Sequence, residues 1–275
     1  MHKQIILEGL KAPRRQYECK RLRDMTGKVS MSRTLCWFSC GAPSAVAAKL
    51  ALADDPLAQV VYTFIKEEHP DNMRFLLDCE RWLGVPIRSI GNDKYDYSIY
   101  EVFERERYIV GIKGAPCTKL LKRRVREEYQ KPYDIHVMGY TIEEADRMED
   151  FRMHYPELLI SCPLIRHGLT KADCLAMVKD AGIALPAMYL LGFNNNNCVG
   201  CVKGGMGYWN KIRIHFPEQF WRMAKMERNI GHAVNRRDGK PVYLDELPED
   251  AGRDLPEPRI ECSIMCLLAK QEYSG

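Results

Sequence analysis

The segment that most restricts what this chain can fold into is Thr34 to Leu52. Thr34-Leu35-Cys36-Trp37-Phe38 is an apolar, β-compatible run that ends in the small residues Ser39-Cys40-Gly41-Ala42-Pro43-Ser44, and alanine-rich Ala45 to Leu52 then reads as helix. Strand, tight loop and helix start form the repeating unit of a parallel α/β sheet. The open backbone N–H groups of such a helix start, aligned with its dipole, make an anion site. Gly41 lets the backbone approach a ligand closely, and the Ser39 and Ser44 hydroxyls can donate to phosphate oxygens. An ordinary βα turn that binds nothing would look the same. The loop lacks the Gly-Lys-Ser/Thr ending of a Walker A motif, and it is not Gly-x-Gly-x-x-Gly.

Further along, Gln59 to Ile65 predicts a second buried strand, which ends in the polar cluster Lys66-Glu67-Glu68-His69-Pro70. Asp71 is placed to cap a helix that presents Phe75, Leu76, Cys79, Trp82 and Leu83 before Gly84 stops it. Val85 to Ile90 predicts a third strand. This alternation implies right-handed crossovers and a doubly wound, Rossmann-like parallel sheet. Ligands of such sheets sit at the carboxyl ends of the strands, where Ser39-Cys40-Gly41 and Lys66 to His69 fall. Thr118 to Tyr129 reads as a strongly basic helix, either a solvated face or part of a sulfate or phosphate site. Ile135 to Tyr140 is a short apolar strand, and helices are predicted from near Thr170 to Gly182 and over Glu218 to Ile230. Between those helices lie turn-rich Asn194 to Asn197, the knuckle Cys198-Val199-Gly200-Cys201, and a loop from Lys203 to Trp209. The chain thus divides into a basic arm (1–33), an α/β domain (34–192) that carries the candidate anion loop, and a loop-rich, cysteine-containing C-terminal region (193–275) packed on it.

A net charge of +4 suits a small anionic substrate without requiring nucleic acid, although the basic arm could contact either. The absence of an apolar run near 18 residues and of a signal-peptide core predicts a soluble, cytoplasmic protein with no membrane contact. Eleven cysteines, an odd number, argue against a pure disulfide framework. Cys198-x-x-Cys201 and Cys262-x-x-x-Cys266 form two close pairs, and four thiolates would make a structural zinc site or a [4Fe–4S] site. Buried thiols or a redox disulfide are the alternatives. Cys36, Cys79, Cys162 and Cys174 fall in apolar elements and Cys19 in the arm, so these five read as structural. Among the scattered histidines only His69 follows a strand at its ligand-facing end.

These pieces, in this order, resemble the sulfonucleotide reductases (PAPS and APS reductases) of the adenine nucleotide α-hydrolase, or PP-loop, superfamily. The superfamily loop Ser-Gly-Gly-x-Asp-Ser reads Ser39-Cys40-Gly41-Ala42-Pro43-Ser44 here, and the reductase branch relaxes the two positions held by Cys40 and Pro43. Gly139-Tyr140 with Glu144-x-x-Arg147 is similar to the family's Gly-x-Arg-x-x-Glu-Ser-x-x-Arg, with Thr141 in place of the first Arg. Pro163-Leu164 with Thr170 and Asp173, and Pro186-x-x-Tyr189-x-x-Gly192-Phe193 before Cys198-x-x-Cys201, match further family segments. Pro116-Cys117 resembles the Pro-Cys-Cys of the iron–sulfur APS reductases, which makes Cys117 an alternative metal ligand. The tail Glu261-Cys262-Ser263-Ile264-Met265 resembles the Glu-Cys-Gly-Ile/Leu-His tail that carries the reductase nucleophile. The likeness spans about residues 30 to 205, plus that tail.

The resemblance implies an adenine nucleotide substrate (PAPS, APS or ATP) held by Ser39, Cys40, Gly41, Ser44, Lys66, Gly139 and Arg147. Cys262 would take the sulfonate, and a thiol reductant such as thioredoxin would then release sulfite. If Cys117 is a ligand, one of Cys262 and Cys266 is released for chemistry. Two other functions fit the same residues. One is an ATP-dependent sulfurtransferase of the nucleic-acid thiolation type, with a four-cysteine iron–sulfur site. The other is a zinc-stabilised nucleotide-binding module without catalysis.

Overall fold

The structure is a computed structural model, and it describes residues 32–111 and 114–252, together with the backbone of Leu22–Arg23 and Val29–Ser30, which pair as a short antiparallel ladder. The rest of the basic arm, Cys19, Cys262 and Cys266 lie outside the described residues.

Five parallel strands make the central sheet: β1 (Thr34–Phe38), β2 (Gln59–Thr63), β3 (Ile87–Ile90), β4 (Ile135–Val137) and β5 (Leu159–Ser161). They lie in the order β3-β2-β1-β4-β5, so the chain winds outward from β1 in one direction and then restarts on its other side at β4. Every residue of β1 is buried, as a central parallel strand covered on both faces requires. Its alternation assigns the faces. Cys36 and Phe38 join a core with Val60 and Tyr62, packed under α1 (Ala42–Asp54), α2 (Asp71–Leu83) and α6 (Lys171–Asp180). Leu35 and Trp37 join the opposite core with Met138, Tyr140, Met148 and Phe151, where α5 (Ala145–His154) packs. The alanines of α1 allow close approach, and eight of its thirteen residues are buried.

A third core holds the C-terminal half. Trp209, fully buried in α7 (Met206–His215), packs with Phe220 and Met223 of α8 (Pro217–Ile230), and with Tyr100, Val102 and Phe103 of α3 (Ile99–Glu106). The cysteine-containing region therefore shares its core with a segment of the α/β domain. A hairpin, β6 (Asn235–Arg237) and β7 (Lys240–Val242), closes against α8 through Glu227, whose carboxylate accepts N–H groups from Val234 (2.6 Å) and Leu244 (2.7 Å). The basic segment forms a π-helical run, Thr118–Arg123, that continues into α4 (Arg124–Tyr129).

Several local expectations are corrected. Asp71 is the first residue of α2 rather than its cap; its carboxylate instead pairs with Arg74 at 2.6 Å and accepts the Ala187 N–H at 2.9 Å. The expected loop from Lys203 to Trp209 is helical from Met206 onward, because burial of Tyr208 and Trp209 outweighs the glycines around them. The helix start near Thr170 and the stop at Gly84 are as expected, and of the residues α8 is expected to bury, Phe220, Met223 and Ala224 are buried while Met226 is partly so. No helix among the described residues is long and apolar enough to cross a membrane.

Candidate functional site

The strand order reverses between β1 and β4, so their carboxyl ends part and leave a crevice, the place where open α/β sheets bind ligands. A cleft of about 140 Å³ lies there. Its floor is Ser39, Gly41, Pro43 and Ser44, following β1, and one wall is Met138, Gly139 and Tyr140, following β4. Thr63, the last residue of β2, and Glu68 beyond it form the opposite wall with Tyr189 and Asn195 to Asn197, and Lys122 reaches in from the π-helical run.

The loop is tightly self-bonded. Ser44 Oγ accepts the Ser39 N–H at 3.0 Å and the Ser39 hydroxyl at 3.2 Å, and it donates to the Gly41 carbonyl at 2.8 Å. Pro43 has no N–H, and the Ala42 N–H faces the Tyr189 hydroxyl. Of the donors that such a helix start would offer an anion, one is therefore missing and one already engaged. Cys40 sits at φ +55°, the left-handed region that favours glycine, which accounts for the glycine usual at this position in the loop it resembles. Its thiol is fully buried and donates to the Asn72 carbonyl at 3.7 Å, and burial, then the nearby Glu68 charge, pushes its pKa well up. Cys40 is thus a packing residue. Gly139 has a steric reason: a Cβ there would lie 2.9 Å from the Ser44 Cα and N, so only glycine lets the chain after β4 pass the start of α1.

The other nucleotide-contact candidates stand farther back. Lys66 pairs with Asp96 and does not line the cleft. Arg147 Nη1 is 2.7 Å from Glu144 Oε1, and its guanidinium lies 5.3 Å from the centre of the Tyr140 ring, so it backs two cleft residues rather than facing the opening. His69 Nδ1 accepts the Asp71 N–H at 3.1 Å, and its ring meets the edge of Phe216.

Sequence reasoning left Glu68 and Lys122 unremarked within charged clusters. Glu68, 8% exposed, accepts from the Tyr62 hydroxyl at 2.7 Å and the Asn72 amide at 2.9 Å, while Lys122 Nζ stands 3.6 Å from its other oxygen. Tyr62 is pushed far above the usual phenol range by burial and then by the Glu68 charge, so it remains a donor.

Behind this pair lies a second, smaller cavity of about 20 Å³, with room for about one water-sized occupant. Cys117, Cys198 and Cys201 line it with Ile65, Ile99 and Val202, and Lys122 and Lys203 supply positive charge. The Cys198–Cys201 knuckle is fixed by Tyr208, whose hydroxyl accepts N–H groups from Gly200 (3.0 Å) and Cys201 (2.8 Å) and donates to the Cys198 carbonyl at 3.0 Å. The Val199 N–H donates to the Glu67 carbonyl at 2.8 Å and ties the knuckle to the end of β2. Among the described residues no three metal-ligating side chains stand at gripping distance of one ion. Cys117 is nevertheless brought to Cys198 and Cys201 from some eighty residues away, and Lys122 lines both cavities. Cys36, Cys79, Cys162 and Cys174 are buried core thiols pushed up to about 12 by burial. No known protein family, curated protein or solved structure matches this chain.

Proposed function

We propose that the chain is a PAPS reductase-like enzyme that binds an adenine nucleotide in the switch-point cleft and carries out sulfur chemistry beside it. The observation that carries this reading is the shared Lys122: one ammonium lines both the cleft and the thiol-lined cavity, so a nucleotide and a thiol site would meet across a single residue. Ser39, Gly41 and Ser44 would seat the 5′ phosphoryl group with the Cys40 backbone, and Lys122 would sit near its charge. Gly139 keeps the floor open, and Arg147 braces Glu144 and Tyr140.

The donor set fits a thiolate-held group: three cysteines on one cavity with two lysines to offset their charge. Cys117, Cys198 and Cys201 would hold it with Cys266 of the tail, which releases Cys262 as nucleophile. Bound there, zinc would supply a structural knot of a size that suits the cavity, whereas an iron–sulfur cluster would need the cavity to widen and would tune the electrostatics of the sulfur centre. The Cys262 thiolate would attack the sulfur of the phosphosulfate, breaking its S–O bond and expelling the nucleoside phosphate. A dithiol reductant would then attack the Cys262 sulfur; sulfite leaves with the S–S bonding pair, and the second thiol closes the reductant's disulfide.

The ATP-dependent sulfurtransferase reading is weaker on one count: Pro43 and the engaged Ala42 N–H leave the loop short of donors for a triphosphate. The test is sulfite release from PAPS and from APS with a dithiol protein under anaerobic conditions. Cys262→Ser is expected to abolish sulfite while keeping nucleotide affinity. Neither turnover nor nucleotide binding in the wild type would overturn the reading.

A further inference from the structure

The wall opposite the phosphate loop carries two buried oxygens with no partner among the described residues: Asn196 Oδ1 and Thr63 Oγ1. Both residues line the cleft, and both are more than nine-tenths buried, at 7% and 5% exposure. An unpaired polar atom in such a place is costly, and it calls for a ligand group that completes it.

The orientation of Asn196 is set by a chain of bonds that begins at a charge. The Glu68 carboxylate only accepts, so the Asn72 amide must turn its nitrogen toward it, at 2.9 Å. That leaves the Asn72 Oδ1 as an acceptor, and Asn196 Nδ2 donates to it at 2.7 Å. The same Nδ2 gives its second hydrogen to the Cys40 carbonyl, also at 2.7 Å. A flipped Asn196 would set its oxygen against two other oxygens. Asn196 Oδ1 is therefore locked as an acceptor, and an ionised phosphate oxygen cannot satisfy it.

We infer that Asn196 forms a fixed acceptor subsite, with the Thr63 hydroxyl as a second polar group on the same wall, for a neutral hydrogen-bond donor of the nucleoside, a ribose hydroxyl or the base amino group. This rests on the nucleotide reading above and adds where its selectivity resides: in the Asn196 wall rather than in the phosphate loop. Asn196 acts as a specificity residue, positioned by Glu68 through Asn72.

The test is calorimetric titration of the full chain as purified, in buffer without added divalent cation, with adenosine 5′-monophosphate and its 2′-deoxy, 3′-deoxy and 6-desamino analogues. Loss of about ten-fold in affinity is expected for the analogue that lacks the recognised donor, with no further loss for that analogue when Asn196→Ala is titrated. The analogue affected tells a ribose contact from a base contact. Should Asn196→Ala fail to fold, Thr63→Val, which keeps the side-chain shape, offers the same comparison. Binding of all four ligands within two-fold overturns the inference alone, as does discrimination that survives in both variants. Failure of every adenine nucleotide to bind overturns the nucleotide reading and this inference with it.

Discussion

At the residue scale, the buried pair Glu68–Lys122 and the buried His136 give the sharpest consequences. Glu68 and Lys122 are 5% and 9% exposed at their side chains, so neither charge is repaid by water when its partner is removed. Lys122→Met is expected to cost about 3 kcal/mol in urea unfolding, and the double variant with Glu68→Gln to regain much of it. Equal stability of Lys122→Met and wild type would show that the pair carries no such burden. His136 lies on the sheet with Trp37 Nε1 donating to its Nδ1 at 3.0 Å, and burial, then the Arg126 charge, pushes its pKa down to about 4. The folded state thus binds fewer protons than the unfolded state between about 6.5 and 4, so this contribution is complete above pH 6.5 and is lost as pH falls through that window. Glu227, pushed up to about 7 by burial, works in the opposite sense: its contribution is complete below about 4.5 and fades as pH rises toward 7. The difference between wild type and His136→Gln in thermal unfolding against pH isolates the histidine. It should change by well over 1 kcal/mol between pH 7 and pH 4, and a flat difference would mean that His136 titrates normally.

At the element scale, the cleft exists because β4 and the start of α1 pass at glycine distance. Gly139→Ala would force its Cβ to 2.9 Å from the Ser44 backbone, and backbone cannot give way as a side-chain tip can. A cost of about 1–3 kcal/mol in unfolding is expected, with loss of nucleotide affinity as Ser44 shifts. A variant that is stable and binds normally would show that this contact is loose. The same scale shows what was legible in the sequence. Phe38 to Leu52 and Gln59 to Gly84 announced their elements through long apolar runs and a glycine stop, and those elements are present. The three-residue β5 and the β6–β7 hairpin were not legible, because segments so short have no periodicity to read. The glycines around Trp209 predict a loop, whereas burial of its ring in the tertiary core makes the segment helical.

At the scale of the whole molecule, the loop and Gly139 could be found from sequence because each is a local motif. The relay through Glu68, Asn72 and Asn196 could not, since it joins residues separated by up to 124 positions and depends on the direction of each amide. Asn196 lay in a run that looked only turn-rich, and Lys122 was one cation among many in Thr118 to Tyr129. Cys117 is the converse case. Its motif suggested an alternative metal ligand, and the fold brings it to the wall that carries Cys198 and Cys201. This convergence, with Lys122 lining both cavities, is the basis for proposing that the thiol cavity and the cleft work as one site. The most direct measurement is iron, zinc and sulfide content, with an absorption spectrum, of the full chain purified anaerobically as wild type and as Cys117→Ser. The expected result is either about four irons with matching sulfide or about one zinc per wild-type chain, reduced several-fold in Cys117→Ser. Wild-type protein free of metal, or a metal content untouched by Cys117→Ser, would contradict a shared thiol site at Cys117, Cys198 and Cys201.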